Sequence, residues 1–199
     1  MKFFIVGLHS SGGHETADIL SQLGIRCGKL FSNIEEPSEY IYNSFKYEQY
    51  TDNDIRDVFE NNAYVFIQEL QSASPSNPYR FFEGLSKYEF DNNDVFVMSP
   101  DQILSIAPNN ISGDICFVWL DNTKSNRVER YRSEKRSYDF NERDNIERDG
   151  IQSFAKHVYS TKNSHVLYFT NEEPPRVAAV IYGLIKHPDL LSVYESAFV

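Results

Sequence analysis

The stretch GLHSSGGHET, Gly7 to Thr16, follows the apolar run Phe3 to Val6 and leads into Ala17, Ile19, Leu20 and Leu23 at helical spacing. Strand, glycine turn and helix in that order are the context a phosphate-binding loop needs. Glycines let consecutive backbone N–H groups curl around phosphate oxygens, and the helix N-terminus behind them adds positive dipole. Gly7 and Gly12 have the G-x-x-x-x-G spacing, but Gly13 and His14 stand where such loops carry Lys and Ser or Thr. The missing groups are an ammonium for the β and γ phosphates and a hydroxyl for Mg²⁺. His14 can be neutral near pH 7 and suits a hard, oxygen-preferring cation poorly. Thr16 comes two places too late. Losing one transition-state donor costs about 2.7–4 kcal/mol, whereas phosphate binding by backbone N–H groups survives. Binding is therefore better supported than turnover, and a turn with ordinary glycines and no ligand is the bland alternative.

The chain has 199 residues, 41% of them hydrophobic and 15% aromatic, enough for a substantial core and most economically one domain. A formal net charge of −10 disfavours duplex nucleic acid or an anionic membrane as the main partner and favours small ligands. Cys27 and Cys116 suggest neither a metal knuckle nor a disulfide framework and read as structural thiols. The N-terminal run FFIV is too short for a signal-peptide core, and no segment approaches a membrane span, so a cytoplasmic location is expected.

Five apolar stretches read as strands: Lys2 to Val6, Ala63 to Ile67, Asp94 to Met98, Ile115 to Leu120 and His165 to Phe169. Continuous β-branched and aromatic runs predict strands covered on both faces, as in a parallel sheet flanked by helices. Helical spacing marks Gly12 to Leu23, Asp52 to Asn61 through Ile55, Val58 and Phe59, and Asn77 to Tyr88 through Phe81, Phe82 and Leu85. A last helix has Thr170 or Asn171 as its cap, Pro174 and Pro175 in its first turn and Lys186 at its close. The expected fold is α/β: three α/β/α layers around a central, mostly parallel five-stranded sheet. Asn33 to Tyr50, with Tyr40, Tyr42, Tyr47 and Tyr50 among acidic residues, is either an excursion over a ligand or a set of half-buried tyrosines.

A second signal follows the strand CFVWLD. Eight of the 19 Lys and Arg residues fall between Lys124 and Arg148, with Arg127 and Arg130 spaced to share a helix face. Glu129, Glu134, Glu142 and Glu147 interleave to neutralise some of these charges. Phosphoryl transfer needs guanidinium groups around the equatorial oxygens, which a mobile Arg-bearing flap would supply. A solvated, salt-bridged helix pair explains the same residues. His9, His157, His165 and His187 show no recognisable partner for nucleophilic catalysis.

In the order of its elements the chain resembles the guanylate kinase-like branch of the P-loop nucleoside monophosphate kinases, including virus-encoded deoxynucleotide kinases. The resemblance implies a single P-loop kinase-like domain over 1–199, with an acceptor-binding excursion at about 31–90 and a helical lid at about 122–150. It implies ATP and Mg²⁺ as cofactors and a nucleoside monophosphate as substrate, with no nucleic acid or membrane partner and with room for a homodimer. GLHSSGGHET is similar to the donor loop, placing His9, Ser10, Ser11, Gly12, Gly13, His14 and Glu15 around the ATP phosphates. YEQYTDNDIRDVFENNAYVFIQEL is similar to the acceptor segment, with Tyr50 and Glu69 as contacts, and NPYRFFEGL adds Tyr79 as a hydroxyl donor. In DVFVMSPDQ, Ser99 stands at the place of an acidic strand end, with Asp101 as a displaced alternative. RVERYRSEKR and NERDNIERD resemble the lid, with Arg130 and Arg143 as its transition-state arginines. HVLYFTNEEPPRVAAVIYGLI resembles the last strand and helix, putting Asn171 near the base. A binding protein of the same fold, holding a nucleotide without turnover and acting through protein contacts, is the rival reading.

Overall fold

The computed structural model describes residues 1–28, 30–32, 64–71, 80–106, 113–133, 139–161 and 163–196. They fall into two compact units, one formed by Met1–Gly28, Asn93–Leu104 and Ser112–Val199, the other by Lys29–Asn92 with Ser105–Ile111.

The first unit is an α/β body. Its elements are β1 (Lys2–Gly7) and α1 (Gly13–Gln22), and, in chain order with the second unit's strands numbered β2 to β4 and its helix α2, β5 (Val95–Met98) and α3 (Pro100–Leu104). β6 (Ile115–Asp121), α4 (Lys124–Ser133), α5 (Phe140–Ser160), β7 (Ser164–Thr170), α6 (Pro174–Lys186) and α7 (Leu191–Ser196) follow. The four strands pair in the order β5-β1-β6-β7, all parallel. β1 and β6 lie inside the sheet, which explains their unbroken apolar runs: both faces need cover. At the edge, β7 alternates, burying Leu167 and Phe169 while Val166 and Tyr168 are exposed.

The cover differs by face. Phe3, Ile5, Val118, Leu167 and Phe169 belong to one core cluster with Leu20 of α1 and Val177, Ala178, Ile181 and Leu184 of α6. Phe4 stacks between Phe96 and Phe117 at ring separations of 5.4 and 5.7 Å, and Phe117 and Trp119 meet Phe154 of α5. Each buried aromatic of this kind contributes about 1.5–3 kcal/mol through area removed from water. Helices therefore lie on both faces of the sheet, as the continuous apolar strands predict.

The second unit holds β2 (Phe31–Ser32), β3 (Tyr64–Gln71), β4 (Arg80–Ser86) and α2 (Lys87–Asn92), with the strands antiparallel in the order β2-β4-β3. Two expectations are corrected. Ala63 to Ile67 was expected as a fifth strand of the central sheet; Tyr64 onward pairs instead with β4, Glu69 opposite Phe82. Asn77 to Tyr88 was expected as a helix, yet Arg80–Ser86 is a strand and the helix starts at Lys87. The expected helix at Asp52 to Asn61 lies outside the described residues.

Candidate functional site

In the first unit the chain order reverses beside β1: β5 lies on one side of it, β6 and β7 on the other. Open α/β sheets bind ligands beyond the carboxyl ends of their strands at such a switch point. Here that place is built by the turn after β1, Leu8 to Gly12, and by Asn122 and Thr123 after β6. The turn leaves the sheet tightly: a β-carbon on Gly7 would lie 3.0 Å from the Leu120 carbonyl oxygen and 3.1 Å from Ser11 Cβ. Ser10 and Gly12 have positive φ, 57° and 91°. At Gly12 a side chain would also meet Arg130 Nη1 at 2.9 Å and Pro174 Cγ at 3.0 Å.

The turn's main-chain polar groups point two ways. Three successive carbonyls face donors from α4 and from the residue after β6: His9 takes Arg127 Nη1 at 3.4 Å, Ser10 takes Arg130 Nη1 at 3.5 Å and Ser11 takes Asn122 Nδ2 at 2.8 Å. The His9 N–H donates to Glu147 Oε2 at 2.6 Å, and Ser11 N–H to the Leu8 carbonyl. Among the described residues the N–H groups of Gly12, Gly13 and Glu15 meet no acceptor, and Gly12 caps α1 without a side-chain hydrogen bond. With its carbonyls drawn outward, the turn leaves donors and the positive helix end for an anion.

Two charged clusters flank the turn. One is buried: Arg127 is 0% exposed, Asp144 1% and Glu147 2%. Arg127 hydrogen-bonds Asp144, which also meets Arg148 Nε at 3.1 Å and Lys124 Nζ at 3.5 Å. Burial alone would raise the Asp144 carboxyl, but the hydrogen bonds and charges of Arg127 and Arg148 hold it below its usual range. Glu147 accepts the His9 N–H at 2.6 Å and Arg143 Nε at 2.6 Å, and its Oε2 lies 3.1 Å from His9 Nδ1. Burial opposes its charge as well, and the His9 hydrogen bonds and the Arg143 charge outweigh it. Phe140 completes this cluster, its ring 4.4 Å from the His9 ring and 5.4 Å from the Arg127 guanidinium. The other cluster is more open. Arg130, 14% exposed, lies between Glu15 at 3.2 Å and Glu173 at 3.6 Å, whose side chains are 48% and 79% exposed.

The residues expected from sequence sort accordingly. His9, Ser10, Ser11, Gly12, Gly13, His14 and Glu15 form the turn and the first turn of α1, and Arg130 reaches them. Arg143 is bound to Glu147 in the buried cluster, one step removed from the turn. Asn171, at φ 52°, accepts from Thr123 N–H at 2.9 Å and so braces the segment after β6; it does not cap α6, whose N-cap is Glu173. Asp101 lies on α3, half-buried. Glu69 is in β3 of the second unit with its side chain outside the described residues, as are Tyr50 and Tyr79 altogether. The sequence reading gave no role to Asn122, a buried polar residue directly after an apolar strand, or to Asp144, and took Glu147 only as one of several neutralising carboxylates, although their spacing by three puts Asp144 and Glu147 on one face of α5.

The Thr16 hydroxyl, fully buried, donates to the Gly12 carbonyl at 2.8 Å, and the described residues contain no cluster of three or more His, Cys, Asp or Glu able to hold a metal. No described helix is long and apolar enough to cross a membrane.

No protein-family model matches the chain, and no curated protein matches it. Among solved structures, deoxyadenosine kinase from M. mycoides with bound dATP aligns at TM-score 0.48 and 12% identity over 94% of this chain and 100% of that one. The same enzyme with bound dCTP aligns at 0.45 and 12% over 94% and 99%. A sugar kinase from Janibacter sp. HTCC2649 aligns at 0.40 and 12% over 96% of each chain. Likenesses this loose decide neither fold nor function.

Proposed function

We propose that the turn from Leu8 to Gly12 is a polyphosphate site and that the chain is a phosphotransferase, a nucleoside monophosphate kinase using ATP. The observation that supports this is the two-way orientation of the turn: carbonyls of His9, Ser10 and Ser11 drawn to Arg127, Arg130 and Asn122, and N–H groups of Gly12, Gly13 and Glu15 without acceptors among the described residues, at the switch point of the sheet. ATP bound there supplies the γ-phosphoryl group. The N–H groups orient its phosphates, and Arg130 offsets the charge that gathers on the transferring oxygens once Glu15 and Glu173 yield it. The acceptor is a nucleoside monophosphate by the resemblance of the Tyr50, Glu69 and Tyr79 segments, and its own phosphate needs no protein base. Arg143 acts through Glu147.

The test is ADP formation from ATP across monophosphates and nucleosides. Turnover that needs an added acceptor and falls about 10³-fold in Arg130→Ala supports the reading. A folded sample with neither turnover nor stabilisation by ATP overturns it.

A second reading, nucleotide binding without turnover, is favoured by one contact. A β-carbon on Gly13 would lie 2.9 Å from Val97 Cγ1, so the place where a loop lysine would start is filled by β5. Under this reading ATP at ten times its Kd stabilises the fold by about 1.4 kcal/mol while no acceptor yields ADP.

A further inference from the structure

We propose that Glu147 is a positioning residue that sets the shape of the turn, an inference that rests on reading the turn as a polyphosphate site. Three donors converge on its two oxygens: His9 N–H, His9 Nδ1 and Arg143 Nε. The His9 N–H and the Arg143 guanidinium fix Glu147 as an ionised, acceptor-only carboxylate, so the His9 ring facing it carries its proton on Nδ1. One residue of the turn is thereby held at its main chain and its side chain at once. Arg127, bound to Asp144 three residues earlier on α5, approaches the carbonyl of the same residue. His9 is thus gripped at N–H, ring and carbonyl by α4 and α5, and its orientation starts the outward run of carbonyls through Ser10 and Ser11. The charged helix pair is, on this account, the outer brace of the turn, and its buried carboxylate stands where an isosteric amide would offer one acceptor oxygen to three donors.

The experiment is amide exchange at His9 and Ser11, read residue by residue by NMR in the free protein, together with ATP affinity, for wild type, Glu147→Gln and Val158→Ala. Val158 is buried on the same helix and outside the cluster, so its variant reports what general loss of packing does. Glu147→Gln should speed exchange at His9 about tenfold or more and raise the Kd for ATP about tenfold, as for one lost hydrogen bond to a charged acceptor. Val158→Ala should leave both near wild type in the folded state. The proposal falls if His9 exchange in Glu147→Gln stays within about twofold of wild type, or if Val158→Ala moves the turn as much. If exchange responds but ATP affinity stays within about twofold in a wild type that binds ATP, the role in binding is overturned. A wild type that binds no ATP overturns the polyphosphate reading alone, and the exchange at His9 still decides the brace.

Discussion

The two charged clusters beside the turn use the same chemistry in different media. In one, Arg127, Asp144 and Glu147 are closed off from water and each is paired with a group of opposite charge. In the other, Arg130 is held by two carboxylates that are 48% and 79% exposed. A buried pair broken on one side leaves a charge that water does not reach, whereas an exposed pair exchanges its partner for solvent or a ligand at little cost. The buried cluster is therefore suited to fixing the turn. The open one is suited to releasing a guanidinium to an anion.

The largest expected effect breaks the buried side. Arg127→Met should destabilise the fold by about 3–5 kcal/mol in denaturant melts, because Asp144 loses its most buried partner; a loss under about 1 kcal/mol would erase the distinction between the clusters. Next, Gly13→Lys adds a cation on the open side but forces its β-carbon against Val97. It should cost about 1–3 kcal/mol as overpacking, and Val97→Ala in the same chain should recover part of that in thermal melts. Acid probes the buried carboxylates. Both Asp144 and Glu147 are held below their ordinary values in the folded state, so their stabilisation is present above about pH 4 and is lost as the pH falls through the lower folded values. Melting temperature should fall with acid over that window, and less steeply in Glu147→Gln. The smallest effect is that of Arg130→Ala on stability, about 0–1 kcal/mol in the same melts, since its partners are exposed.

Much of the first unit was legible because its signals are local. Unbroken apolar runs at Phe3 to Val6 and Ile115 to Leu120 state that both faces are covered, and Gly7 and Gly12 mark a turn whose geometry few other residues permit. In the second unit, Phe81, Phe82 and Leu85 suit a helix face as well as a strand, and pairing with Tyr64–Gln71 decides between them. A local clue was there: Ser86 and Glu89 have S-x-x-E spacing, and Ser86 Oγ accepts the Glu89 N–H at 3.1 Å, which starts the helix at Lys87. In the candidate site, Arg130 was read from its charge and position, and its guanidinium lies beside the Ser10 carbonyl and the Glu15 carboxylate. Glu147 was read as one neutralising residue among several, since no local pattern tells a carboxylate that will be enclosed from one that will face water.

Gly7 carries a last consequence. It is at once the final rung of the β1–β6 ladder, opposite Leu120, and the first step out of it, with no space for a β-carbon beside the Leu120 carbonyl. The proposed anion seat would therefore have no hinge at its root: prising it open would mean parting two central strands, and any adjustment to a ligand would fall to side chains arriving from elsewhere in the chain.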